Sequence, residues 1–132
     1  MRILLRQTTL QTSQALSEQG YGDLRPMHLL VIERLFISEA RATELAEAIG
    51  LTKQATGQIL DRMDELDYVQ RVPDPSDGRA KVLQLTDRGQ RAAQTLLSIA
   101  DENEEKLLAA LGQTRHRQLR AALASLITAT QR

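Results

Sequence analysis

Apolar residues recur at helical spacing along most of this chain and give way to alternation in one short stretch. Ile3, Leu4, Leu5, Leu10 and Leu16 mark one side of a first helix from Met1 to about Gln19, which Gly20-Tyr21-Gly22-Asp23 breaks. Pro26 suits the first turn of a second helix, where its missing N–H costs nothing. Met27, Leu30, Val31, Arg34 and Leu35 follow at helical spacing. Thr43 to Ile49 and Thr52 to Leu66 predict two further helices, with small Ala46 where the pair must cross closely. Gly50 stands at the turn between them because glycine tolerates positive φ, and the Thr52 hydroxyl can cap the second helix. Tyr68 to Val72 and Lys81 to Leu85 then alternate as strands do, around the polar turn Pro73-Asp74-Pro75-Ser76-Asp77-Gly78-Arg79. Thr86 opens a long helix that Gly112 interrupts, and Leu119, Ala122, Leu123, Leu126 and Ile127 form a stripe on the last one.

This order predicts a mainly α fold with a small two-stranded β-wing, a winged helix-turn-helix flanked by N- and C-terminal helices. The expected layout is one winged-helix domain over 1–132. Its DNA-binding core would be 24–85, with a recognition helix at 52–66 and a wing at 68–85. Segments 1–19 and 86–129 carry apolar faces with few internal partners, and pairing across a two-fold axis is the economical way to bury them. They are therefore expected to be dimerisation helices.

Composition narrows the picture. The chain is long enough to bury a core, and with aromatics at 2% that core must be Leu, Ile, Val, Ala and Met. The absence of cysteine excludes disulfides, thiolate metal sites and thiol redox sensing. No apolar run is long enough to span a membrane and no signal peptide is evident, so a cytoplasmic location is expected. The 17 basic and 17 acidic residues cancel, which predicts modest non-specific affinity for nucleic acid. Their distribution is polarised. Asp61, Asp64, Glu65 and Asp67 crowd the far end of the second motif helix, while its first turns hold Lys53 and no acid. Arg79, Lys81, Arg88 and Arg91 follow in and after the wing.

Two segments carry a family resemblance. Lys53-Gln-Ala-Thr-Gly-Gln-Ile-Leu-Asp-Arg-Met63 resembles the recognition helix of the MarR family of winged-helix transcriptional regulators. Asp74-Pro-Ser-Asp-Gly-Arg-Ala-Lys-Val-Leu-Gln-Leu-Thr-Asp-Arg-Gly89 resembles that family's wing and the entry to its next helix. The resemblance implies an obligate dimer paired through its terminal helices, a wing arginine in the minor groove, and a small phenolic or lipophilic effector that releases the protein from DNA. Gly57 and Gln58 stand where many relatives carry Thr or Ser and Arg, and Ser76 where they often carry Arg.

The residues themselves suggest how a duplex would be met. Thr56, Ile59, Met63 and Leu66 fall on the inner side of the recognition helix, and Gln54, Gly57, Gln58 and Asp61 on the outer side. Glutamine can pair with adenine N6 and N7 in the major groove, and Lys53 can meet guanine O6 or a phosphate. Gly57 lets the helix approach the bases. Arg62 reaches either a phosphate or a neighbouring acid. Thr52 offers its N–H to a phosphate at the helix start. Arg79, projected by two strands, suits a narrow electronegative minor groove, with Lys81 and Ser76 as further wing contacts. Asp61 and Asp77 are expected to orient Arg79 rather than touch DNA.

His28 and His116 have no ligand partners at metal-binding spacing, and no catalytic arrangement, metal or cofactor is expected. Under the resemblance, His28 lies near a cleft that would hold the effector; a partly buried structural histidine is the plainer reading. Asp101 to Glu105 reads as a solvated face, and Arg115, His116, Arg117 and Arg120 as surface charge. The functional expectation is a sequence-specific, dimeric DNA-binding regulator of transcription acting as a repressor on an inverted repeat. The alternative is a winged-helix module for protein contact with no physiological DNA site.

Overall fold

The computed structural model describes residues 1–130, so Gln131 and Arg132 of the expected 1–132 domain lie outside the described residues. The elements follow the order α1 (Arg2–Glu18), α2 (Pro26–Ile37), α3 (Ala42–Ile49), α4 (Lys53–Glu65), β1 (Val69–Pro73), β2 (Lys81–Leu85) and α5 (Asp87–Thr130). The mainly α winged-helix fold read from the sequence is therefore the fold found. Contacts divide the chain into two compact units, Met1–Leu97 and Ser98–Arg132.

In the first unit, a core of Leu16, Val31, Ile32, Leu35, Leu45, Leu60, Met63 and Val69 lies between the helices and the wing. Each helix contributes one stripe. From α4 the buried residues are Thr56, Leu60 and Met63, whereas Ile59 and Leu66 are only half-buried. The inner face thus centres on Leu60, which the pattern reading had passed over. On α1 only Leu16 is buried; Ile3, Leu4, Leu5 and Leu10 stay exposed. The α3–α4 turn forms because Gly50 takes φ 72°, which lets Leu51 N–H return to the Ala46 carbonyl at 3.0 Å. Thr52 then caps α4, its hydroxyl accepting Ala55 N–H at 3.1 Å.

Strands β1 and β2 pair antiparallel with Val69 opposite Leu85 and Pro73 opposite Lys81. Strict alternation fails in β2, where Val82 and Leu83 are both buried. Ala40 forms a one-residue third strand beside β2, pairing with Leu83 through N–H···O bonds of 2.8 and 3.3 Å.

In the second unit, Gly112 (φ 76°, ψ 164°) interrupts α5 as expected. Glu104 pairs with His116 at 2.9 Å and with Arg120, 16 positions on. In a straight helix those residues would stand about 24 Å apart, so the helix folds back at Gly112. This corrects the reading of Glu104, His116 and Arg120 as purely solvated charge, whereas Asp101, Glu102 and Glu105 are exposed as expected. Leu119, Leu123, Leu126 and Ile127 remain exposed.

His28 is a buried structural residue. Its Nδ1 accepts the Arg25 N–H at 3.0 Å and so closes the entry to α2, which requires the neutral ring. Burial depresses its pKa, as do the nearby Arg25 and Arg62 cations, with Asp23 opposing. A histidine depressed in the folded state stabilises fully above its unfolded value of about 6.5. That contribution is lost as pH falls through the lower folded value. Urea titrations should accordingly show a loss of stability between about pH 7.5 and about pH 5 that shrinks in His28→Asn, which keeps an acceptor but cannot charge. An equal loss in both proteins would assign the pH dependence elsewhere.

Candidate nucleic-acid interface

The outer side of α4 begins at the capped Thr52 and presents Lys53, Gln54 and Gln58, all exposed, with half-buried Gly57 between the glutamines. A Cβ built on Gly57 meets nothing within 4 Å. Glycine inside a helix costs about 1 kcal/mol relative to alanine. No neighbour inside the protein demands that cost, so the vacancy on this face concerns what approaches from outside.

Beyond Gln58 the helix turns acidic, but the acids are matched. Arg71, from β1, places one terminal nitrogen 2.7 Å from Asp61 and the other 3.0 Å from Asp64. Arg62 pairs with Glu65 at 3.0 Å. For Arg62 this is the acid partner that sequence reading held open beside a phosphate. For Asp61 it is a correction: its carboxylate grips Arg71 and not Arg79. The signal is the strand register, which sets Arg71 opposite Leu83 beside the helix, and no spacing rule in the sequence shows it.

The wing turn is organised by two aspartates. Asp74 Oδ1 accepts the Ser76 N–H at 2.9 Å and the Ser76 hydroxyl at 2.8 Å, and Asp74 Oδ2 binds Arg41 at 2.6 Å. The Ser76 hydroxyl is therefore committed to the turn. Hydrogen bonds from the Ser76 N–H and hydroxyl, with the Arg41 guanidinium beside them, hold Asp74 down at about 2. Asp77 Oδ1 accepts the backbone N–H of Arg79 at 3.1 Å, so it shapes the turn from which Arg79 projects and leaves the guanidinium alone. Among the described residues the Arg79 guanidinium has no hydrogen bond or ion pair, and both it and Lys81 are exposed. A cation free at a ribbon tip can meet an anionic partner without first breaking a bond.

Arg88 and His28 do not belong to this surface. Arg88 donates to the Leu66 carbonyl, pairs with Asp23 at 3.3 Å and lies 4.3 Å from the centre of the Tyr68 ring, so it is structural. His28 borders neither a groove at residues 1–6 nor one of about 380 Å³ lined by Leu30, Glu33, Arg34, Ile37, Ala48 and Ile49. Its placement in an effector pocket gains no support there. Among the described residues no group of acids and histidines has the arrangement of a metal site, and no helix is long and apolar enough to cross a membrane.

The vacant Cβ position predicts opposite effects on folding and binding. Gly57→Ala should raise unfolding free energy by about 0.5–1 kcal/mol in urea titration while weakening duplex binding in an anisotropy titration. Undiminished binding would show that the face does not need close approach.

Comparison with known proteins agrees with this geometry. Residues 23–80, which contain the helix-turn-helix and most of the wing, match the MarR family. Among curated proteins none matches the chain in sequence. Among solved structures, the Staphylococcus aureus MepR–DNA complex superposes with TM-score 0.77 at 21% identity, over 97% of this chain and 93% of that one. The transcriptional repressor CouR, solved on a 23-mer DNA duplex, gives 0.75 at 26% identity over 99% and 88%. YusO from Bacillus subtilis gives 0.72 at 22% identity over 97% and 89%. The segment holding the helix-turn-helix and most of the wing thus matches the MarR family of winged helix-turn-helix transcriptional regulators, and the chain shares the fold of these solved structures over nearly its whole length.

Proposed function

We propose that the protein is a homodimeric, sequence-specific DNA-binding repressor of transcription, released by a small phenolic or lipophilic effector. The observation that carries this reading is the pairing of an open, acid-free first half of α4 with an unpaired Arg79 at the wing tip. Each subunit would lay Gln54 and Gln58 along base edges in the major groove, with Lys53 and the Thr52 N–H on phosphate. Arg79 would enter the flanking minor groove and Lys81 the phosphates beside it. Residues 24–85 serve as the DNA-binding core in this account.

Dimerisation is supported by what each unit leaves uncovered. Ile3, Leu4, Leu5 and Leu10 on α1 are 58–76% exposed, and Leu119, Leu123, Leu126 and Ile127 on α5 are 37–57% exposed. Apolar faces of that extent need a partner, and segments 1–19 and 86–129 would supply it to a second copy. Two-fold symmetry then calls for an inverted repeat with half-sites about one helical turn apart. An effector acts only through different affinities for the two spacings of the recognition helices. MepR has been solved with ethidium bromide bound, a precedent for a flat aromatic ligand, there a cation, in this fold. Nothing in the arrangement calls for catalysis, and a cytoplasmic regulator is the consistent picture.

The competing reading, a protein-contact module, drew on neutral charge and the acidic end of α4. Arg71 and Arg62 match Asp61, Asp64 and Glu65 locally, which weakens the second of these supports. With a duplex obtained by selection, Arg79→Ala should weaken binding at least about tenfold, the scale of one to two good contacts, and flatten the salt dependence. Size-exclusion should still show a dimer. Unchanged affinity would remove Arg79 from the interface.

A further inference from the structure

Arg41 is the N-cap of α3, with φ −73° and ψ 154°. Arginine is a poor choice there. It has no acceptor for the unpaired N–H groups of the first turn, which Ser, Thr, Asp or Asn would satisfy. Its cation also sits at the positive end of the helix dipole. The helix compensates only at the backbone, where Glu44 accepts the Arg41 N–H at 2.8 Å.

What the side chain does instead is reach 33 positions along the sequence. Arg41 Nε lies 2.8 Å and its terminal nitrogen 2.6 Å from the same oxygen of Asp74, a residue only 8% exposed at the base of the wing turn. The other Asp74 oxygen holds Ser76. The turn closes through Asp74 N–H to Ala80 O at 3.0 Å, Asp77 N–H to Asp74 O at 3.2 Å and Ala80 N–H to Asp77 O at 3.0 Å. Arg79 thus projects from a turn whose first residue is fastened to the start of α3. A two-stranded ribbon is marginal by itself. Below the turn, the Ala40–Leu83 bridge and a hydrogen bond from Gln84 to Glu39 at 2.6 Å tie β2 to the same segment.

We propose that Arg41 is a positioning residue for DNA binding: through Asp74 it fixes the direction in which the wing presents Arg79, without touching the duplex. This rests on the DNA-binding reading above. The arginine is kept at a position where local helix chemistry favours serine because its contribution is made at the wing.

The test is a double-mutant cycle on the selected duplex, by anisotropy, with Arg41→Ser, Arg79→Ala and the double variant. Serine supplies the missing cap, so thermal unfolding of Arg41→Ser should change little while affinity falls several-fold. In the Arg79→Ala background the same substitution should cost nothing further. Asp74→Asn, which keeps an acceptor for Ser76 but loses the ion pair, should behave as Arg41→Ser does. Amide exchange of Asp74, Asp77 and Ala80, measured without DNA, should speed up in Arg41→Ser. An equal loss in both backgrounds would overturn the proposal and make Arg41 a direct phosphate contact. Unchanged affinity, or unchanged exchange across the turn, would overturn it as well. No duplex binding by the wild-type chain would remove the DNA-binding reading and this proposal together, and would be evident before any variant is compared.

Discussion

Tyr68 is the point on which the winged unit is assembled. Its side chain is fully buried, and it is the first residue after α4 has ended and Asp67 has reversed the chain at φ 64°. Its N–H returns to the Met63 carbonyl at 2.9 Å, and its own carbonyl accepts Thr86 N–H at 3.1 Å. Its hydroxyl donates to Asp23 in the α1–α2 connection, and Arg88 covers its ring. Burial and the Asp23 carboxylate together push the phenol well above its usual range. Burial would raise Asp23 too, but the Tyr68 hydroxyl and the Arg88 cation outweigh it and keep the carboxylate ionised. Gly89 is required alongside, because a Cβ there would stand 2.1 Å from the Tyr68 carbonyl oxygen. One residue therefore ties the end of α4, the body-side ends of the two wing strands and the start of α5 to the entry of α2. The outward residues of α4 and the wing point where they do because this joint leaves them no other course.

Much of this was legible because it is local. Helix periodicity, Gly50 at the turn, the Thr52 cap and the break at Gly112 all depend on residues within a few positions of one another. Exposure of Lys53, Gln54, Gln58 and Arg79 followed from which faces were apolar. The match of the wing and helix-turn-helix to the MarR family rested on the same segments.

The misreadings share a different physics. Asp61 was assigned to Arg79, yet Arg71 lies nearer once β1 folds against α4. Arg88 was counted with the surface cations, yet it is drawn inward by a carbonyl, a carboxylate and a ring from three other segments. Glu104, His116 and Arg120 meet only because the chain doubles back. Ion pairs and cation–π contacts between distant segments leave no periodic trace, since either sign of charge is equally at home on a solvated face. Arg41 shows where a trace does remain: a residue that local helix chemistry disfavours points to a partner elsewhere in the fold.

The central claim is that two copies of this chain read one DNA site related by two-fold symmetry. Selection of bound duplexes from a random pool, with the stoichiometry of the enriched complex measured by light scattering, tests it most directly. The account predicts an inverted repeat with half-site centres about one helical turn apart and two chains per duplex. Binding without an enriched sequence, or a single half-site held by one chain, would contradict it.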